Sequence, residues 1–284
     1  MVAPERVLIA IVAENREPFT REAMYLFKTL RRFGGQLARA QGIAYFVGSI
    51  EPATARRFNE LDVTFKIVDP VDGRCPHANK IRMLDETVDY DYLVALDTDI
   101  VITRDFSPYI QGSSVAAKPA GQGRLSMDQW TKLFAYFGLE LPVTRYLTTA
   151  KLRETIPYFN SGVVLLPKHH VPPLRDAWHA SVRKLLDAYD VLPDIAERKA
   201  FTDQFALSLA LASAQLPYRG LPLEMNFPTD RPVHAALNPE GLTPYILHHH
   251  HRISASGDIL PCSYENVNTL IGELNAYLRL TDTT

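Results

Sequence analysis

Cysteine is scarce in these 284 residues: there are two, Cys75 and Cys262. Far apart and without metal-type spacing, they exclude a thiolate zinc site and a disulfide scaffold, and read as reduced thiols. Charge of one sign is also lacking. The formal net charge is −2, so no broad field draws the chain to nucleic acid. Long hydrophobic runs are missing too. The longest near the N-terminus, Val7 to Ala13, is too short to cross a bilayer and has no signal-peptide cleavage pattern behind it. The expectation is a cytoplasmic protein with no transmembrane segment, meeting membranes only through partners. No repeat or low-complexity tract is present beyond the histidine run His248 to His251.

What is there is the composition of a folded α/β chain, with 46% hydrophobic and 22% charged residues, long enough for a substantial core. Its focus is Val94-Ala95-Leu96-Asp97-Thr98-Asp99-Ile100-Val101-Ile102. Apolar residues run up to two acids and resume after them. Taken as one strand, the stretch places Asp97 and Asp99 on the same face at its mouth. Two unpartnered carboxylates so close repel and are costly to bury. A hard divalent cation removes the conflict, and Mg²⁺ or Mn²⁺ held by one or two carboxylates completes its shell with substrate phosphate oxygens. The plain alternative is a strand ending in a polar turn.

Around this focus the chain alternates strands and helices. Val7 to Ala13 is a continuous apolar run, as in a central parallel strand, and ends at Glu14-Asn15-Arg16. Thr20 can cap a helix through Ala23, Met24, Phe27 and Leu30 that Gly34-Gly35 stop. Strands follow over 43–47 and 64–68, then a helix starting at His77 with Asn79 as a candidate cap and Lys80 in its first turns, where an anion is favoured. The plain reading of Lys80 is a solvated surface charge. Later segments read as a brief strand at Val115–Ala117, a flexible loop at Gly121–Arg124, an aromatic helix from Trp130 to Phe137, and a strand interrupted by Asn160-Ser161-Gly162. Helices then follow over 171–186 and 201–211, with Asp203-Gln204 at the start of the second. Leu221 to Phe227 reads as extended. Tyr245 to His251 reads as a strand placing His248 and His250 on one face, and imidazole suits Mn²⁺ or Zn²⁺. Glu265 to Leu280 reads as a terminal amphipathic helix.

In this order, the opening strand, Asn79-Lys80, Asp97-Thr98-Asp99, Tyr158-Phe159-Asn160-Ser161-Gly162, Asp203-Gln204, Asn226 and Ile246-Leu247-His248 resemble the metal-dependent GT-A glycosyltransferases. The closest pattern is glycosyltransferase family 8, that of glycogenin and the bacterial lipooligosaccharide galactosyltransferases. The resemblance spans about residues 7 to 250. It implies a single Rossmann-like domain with a mostly parallel sheet flanked by helices. Residues 1–110 would form a nucleotide-sugar-binding half, 111–254 an acceptor-binding half, and 255–284 a C-terminal helix. Asp97, Asp99 and His248 would hold Mn²⁺ or Mg²⁺, with His250 the runner-up. Ala13, Glu14, Asn15, Lys80 and Thr98 would join Asp97 and Asp99 at the donor, Asn160, Asp203 and Gln204 would line the transferred sugar, and Ser161 and Asn226 would meet the acceptor.

The activity implied is retaining transfer of a hexose from a nucleotide-diphosphate sugar to a carbohydrate or glycoside hydroxyl, with homo-oligomerisation left open. Two departures bear on the donor. Ala13-Glu14-Asn15-Arg16 stands where the family places an Asp and a Tyr for uridine, and Arg252-Ile253-Ser254 where it places Lys-Pro-Trp. These move the expectation toward GDP-mannose, with a UDP-hexose next. The rivals are a haloacid-dehalogenase-type phosphatase, whose Asp-x-Asp normally lies near the start of its domain, and a nucleotidyltransferase, which wants a Gly-rich first loop. A non-catalytic nucleotide-sugar-binding protein is the reading from another class.

Overall fold

The opening apolar run forms β1 (Val7–Glu14). Val7, Ile9 and Ile11 enter one hydrophobic cluster and Leu8 and Ala10 another, so the run is continuous because both faces of the strand are covered. The computed structural model describes residues 2–282. After β1 come α1 (Phe19–Phe33), β2 (Gln41–Val47), α2 (Pro52–Glu60), β3 (Val63–Val68), β4 (Tyr92–Leu96), β5 (Ile100–Ile102) and β6 (Val115–Pro119). The second half holds α3 (Met127–Phe137), β7 (Tyr146–Leu147), β8 (Glu154–Thr155), β9 (Phe159–Pro167), α4 (Val171–Ala188), α5 (Pro193–Ala196) and α6 (Thr202–Ser213). The chain closes with β10 (Tyr218–Gly220), β11 (Phe227–Pro228), β12 (Ile246–His248) and α7 (Glu265–Asp282).

Seven strands form the main sheet in the order β10-β6-β9-β4-β1-β2-β3. All pairs are parallel except those of β9, which runs antiparallel to β4 and β6. The chain moves outward from β1 to β3 and then returns to place β4 on the other side of β1. That reversal makes a crevice at the carboxyl ends of β1 and β4, where ligands of open α/β sheets bind. On one face α1 buries Ala23, Leu26, Phe27 and Leu30. On the other, α4 and α6 bury Leu174, Trp178, Val182, Phe205 and Leu209. A second sheet, β11-β12-β5, is covered by α7 through Val267, Ile271 and Leu274 against Val101 and Leu247. No described helix is long and apolar enough to cross a membrane.

Several local expectations are corrected. Residues 94–102 are two strands in different sheets, since the chain turns at Asp97-Thr98-Asp99 and β5 pairs with β12. The acids therefore do not share a face by strand alternation. Thr20 lies inside α1, whose N-cap is Pro18, and its hydroxyl donates to Glu17. Pro76–Met83 is a 3₁₀ segment capped at Cys75, and Asn79 accepts from the Val71 N–H instead of capping it. The anion-at-a-helix-start argument for Lys80 therefore lapses. Leu223–Asn226 is 3₁₀ rather than extended. The histidine run stops being a strand at His248, because His250 and His251 take left-handed φ of 50° and 58°.

The ring of Phe27 in α1 is fully buried and meets Phe58 of α2 edge-on at 6.1 Å. Phe27→Ala is expected to cost about 3–5 kcal/mol, read as a lower urea midpoint. An unchanged midpoint would contradict this packing.

Candidate active site

A cavity of about 500 Å³ opens at the carboxyl ends of the strands. Its wall crosses the sheet from Val47 at the end of β2, past Ala13 and Glu14 of β1 and Asp97 after β4, to Asn160 at the start of β9 and Ala120 after β6. The strand ends deliver the polar groups because each apolar strand must stop where the sheet meets solvent.

At its centre, Asp97, Asp99 and His248 each offer one ligand atom, all within 4.8 Å of one another. His248 Nε2 lies 3.1 Å from Asp99 Oδ1 and 3.9 Å from Asp97 Oδ2. The other ring nitrogen is already engaged: Nδ1 faces Asn226 Oδ1 at 3.0 Å, while the Asn226 amide nitrogen donates to Asn160 Oδ1 at 2.8 Å. With the Asn226 amide oriented by Asn160, its oxygen accepts, so Nδ1 carries a proton and Nε2 is the nitrogen turned to the carboxylates, where it either donates to Asp99 as an imidazolium or presents its lone pair. A lone pair facing two carboxylates is unfavourable without a cation between them. Gly162 makes the room, since a Cβ there would come within 2.6 Å of His248 Cε1 and 2.8 Å of Asp97 Oδ2. Two carboxylate oxygens and one imidazole nitrogen, open to a cavity on one side, suit a hard divalent cation such as Mn²⁺ or Mg²⁺.

Lys80 joins this centre to the next acid. Its ammonium donates to Asp97 Oδ2 at 2.8 Å and to Ser161 Oγ at 3.0 Å, and lies 3.1 Å from Asp203 Oδ2. Burial alone would lower the Lys80 pKa, but Asp97 and Asp203 outweigh it and hold the ammonium charged, above its ordinary range. Asp203 Oδ2 also accepts from the Ser161 hydroxyl at 2.6 Å. Burial pushes that carboxyl up, but Lys80 and Ser161 bring it below the usual carboxylate range. The surface-charge reading of Lys80 is thus set aside.

Ala13, Glu14, Lys80, Asp97, Thr98, Asp99, Asn160, Asp203, Gln204 and His248 all border the cavity. Three expected residues do not. Asn15 turns its amide oxygen to the Glu51 N–H at 3.3 Å. Ser161 and Asn226 are each 1% exposed and spend their hydrogen bonds inside the wall. The acceptor contact expected of Ser161 and Asn226 is therefore corrected: they position Asp203 and His248. His250, the runner-up ligand, stacks on His248 with ring centroids 3.8 Å apart, and its Nδ1 lies 2.9 Å from Asp230 Oδ1.

Sequence reasoning missed Glu22, 0% exposed within α1, which meets His251 Nδ1 at 2.8 Å and pushes that imidazole up to about 9. His251 Nε2 then lies 3.7 Å from Asp99 Oδ2. A Glu on the inner face of a helix otherwise lined by Ala23, Leu26 and Phe27 was the available signal. Also missed was Arg16 over the Phe19 ring at 4.6 Å, while the polar loop Gly121–Arg124, expected over the site, sets Arg124 over the Phe201 ring at 4.0 Å; both arginines line the cavity wall.

The fold is that of the GT-A glycosyltransferases. Residues 9–215 match the Rhodobacterales glycosyltransferase domain, and the chain belongs to that family. No curated protein matches it. Among solved structures, the WbbM bifunctional glycosyltransferase in its apo form superposes with a TM-score of 0.59 at 14% identity, over 98% of this chain and 51% of that one. The chain thus spans about half of WbbM's length. Mouse xyloside xylosyltransferase 1, also apo, superposes at 0.51 with 13% identity, over 87% of this chain and 98% of that one.

Because Asn226 sets which His248 nitrogen faces the acids, Asn226→Ala is expected to weaken divalent-cation binding by about 10–100-fold. Calorimetric titration with Mn²⁺ checks this; native affinity in the variant would remove Asn226 from the assembly.

Proposed function

We propose that the chain is a retaining hexosyltransferase that uses Mn²⁺ or Mg²⁺ and a nucleotide-diphosphate sugar, and transfers to a carbohydrate or glycoside hydroxyl. The observation that carries this reading is the convergence of Asp97, Asp99 and His248 on one point of the strand-end cavity. A divalent cation bound there supplies Lewis-acid stabilisation of the negative charge that appears on the departing diphosphate. Lys80, kept charged by Asp97 and Asp203, adds a fixed positive group beside the same oxygens, and its position requires no reorganisation as charge develops.

Retention fits the acids that are present. An inverting enzyme needs a carboxylate free to take the acceptor proton. Asp203, the best placed, has Oδ2 occupied by Lys80 and Ser161 and suits holding the transferred sugar with Asn160 and Gln204. With the acceptor attacking from the leaving group's own face, the anomeric carbon–phosphate oxygen bond breaks as the acceptor oxygen bonds that carbon. The acceptor proton passes to the leaving phosphate, so no protein base is required. This is also the stereochemistry that the resemblance to glycosyltransferase family 8 implies.

For the base, Glu14 stands on the cavity wall at the end of β1, paired with Arg16 at 2.6 Å. A carboxylate accepts two parallel donors, which guanine offers through its ring N–H and amino group, whereas uracil offers one N–H. This favours GDP-mannose over a UDP-hexose. The Arg16–Phe19 pair beside it offers a flat surface for the base.

Two outcomes test these assignments. Mn²⁺-dependent release of free sugar from a nucleotide sugar is expected in the native chain, and Asp97→Ala, Asp99→Ala and His248→Ala should each weaken Mn²⁺-dependent nucleotide binding by at least about 10-fold. Unchanged binding in all three rejects the cation site, and p-nitrophenyl phosphate hydrolysis lost in Asp97→Asn would support a phosphatase instead. In thermal-shift measurements with Mn²⁺, GDP-mannose is expected to raise the melting temperature more than UDP-hexoses. The reverse order would overturn the base assignment.

A further inference from the structure

Away from the cation position, the end of the cavity beside β6 carries more positive charge than the protein itself balances. Arg124 lies against the Phe201 ring and makes no hydrogen bond or ion pair to another described residue. Arg231 faces the same space and is paired with Asp230. Behind them Lys118, 3% exposed, has a single hydrogen-bond partner, the Pro119 carbonyl at 3.2 Å. Burial and the nearby Arg231 pull that ammonium down to about 7. The acid close to this group is Asp230, and it is already shared between Arg231 and His250. On the same wall lies Tyr158, fully buried, with a hydroxyl that has no hydrogen-bond partner among the described residues.

An unpaired guanidinium, a second one balanced by an acid it shares, and an orphaned hydroxyl gathered on a cavity wall cost free energy unless a ligand completes them. The complementary ligand is an anion with several acceptor oxygens, since a guanidinium offers a planar fork matched to carboxylate and phosphate. The place of this corner in the sheet says which substrate brings the anion. In strand order, β6 lies two positions from β4 on the side away from β1, so the corner is roughly 10 Å from the cation position at strand spacing. The nucleotide's end of the cavity lies the other way, toward β1 and β2. The diphosphate falls at β4, and Asn160, Asp203 and Gln204 occupy the interval where one transferred hexose fits.

We infer that Arg124, Arg231 and Tyr158, with Lys118 behind them, form a seat for a carboxylate or phosphate carried by the acceptor, so that the acceptor is an acidic or phosphorylated sugar. This rests on the transferase reading and adds the acceptor's chemical class to it.

The test uses the full chain saturated with Mn²⁺ and GDP, into which glucuronate, glucose 6-phosphate or neutral glucose is titrated calorimetrically. At least one of the two anions is expected to bind on the order of 10–100-fold tighter than glucose. Arg124→Gln should remove most of that preference and Arg124→Lys restore part of it. Equal affinity for the anions and glucose, or a preference unchanged in Arg124→Gln, would overturn the proposal. A second arm compares hydrolysis of UDP-glucuronate and UDP-glucose. No Arg124-dependent preference for the uronate is expected, and such a preference would move the anion to the transferred sugar and overturn the acceptor assignment. Mn²⁺-dependent GDP binding by the native chain, measured beforehand, reports on the transferase reading separately: its loss sinks that reading, whereas its presence without anion preference sinks only this one.

Discussion

Three carboxylates, Asp97, Asp99 and Asp203, converge at the end of a buried sheet, and one ammonium, Lys80, lies among them. Lys80 answers Asp97 and Asp203 directly, but Asp99 faces a histidine whose outer nitrogen has been turned toward it by Asn226. Beyond the His251 imidazolium 3.7 Å from Asp99, the arrangement is short of positive charge where Asp97, Asp99 and His248 meet. That deficit is the constraint from which the rest follows: a fold that gathers acids this closely must admit a cation there or disperse them. The same deficit gives the cavity its polarity, with cation-hungry acids at β4 and surplus cations at β6.

The topology explains why residues so far apart in sequence meet. The reversal between β1 and β4 opens the crevice, and the antiparallel return of β9 brings Asn160 and Gly162 to the same edge. The break after Leu96 is equally necessary. One continuous strand would carry Asp99 away along the sheet, whereas the turn lets β5 leave for the small sheet and pair with β12, whose last residue is His248. The Asp97 N–H is fixed to the Gly162 carbonyl at 2.9 Å and the His249 N–H to the Asp99 carbonyl at 3.0 Å, so the backbone holds the segments that carry Asp97, Asp99 and His248 together. Preorganisation of this kind is what electrostatic catalysis demands.

Much of the fold was legible because periodicity reports burial. The run Val7 to Ala13 had to be covered on both faces, and Leu174, Trp178, Val182 and Leu185 recur at the spacing of the helix they form. The Asp pair was legible because two such acids are costly to bury unpartnered, and His248 was singled out from the histidine run by the family resemblance. What sequence did not show was set by tertiary contacts. Ser161 and Asn226 were expected at the acceptor, and only their burial and hydrogen bonds show that they pair with Asp203 and His248. The histidine run reads as extended, yet left-handed turns at His250 and His251 let Glu22, on a distant helix, reach the last of them. Arg124, Tyr158 and Lys118 lie in three separate segments, and nothing local marks them as neighbours. The family match covers Lys80, Asp97, Asp99, Asn160 and Asp203 within residues 9–215, while Asn226 and His248 lie beyond it and rest on the motif resemblance and the geometry.

The most direct check on the shared cation is pulsed electron paramagnetic resonance of the chain loaded with Mn²⁺ and GDP. One directly bound histidine nitrogen and phosphorus coupling from the nucleotide should both appear around the same ion. A bound Mn²⁺ showing neither histidine nitrogen nor nucleotide phosphorus would contradict the site.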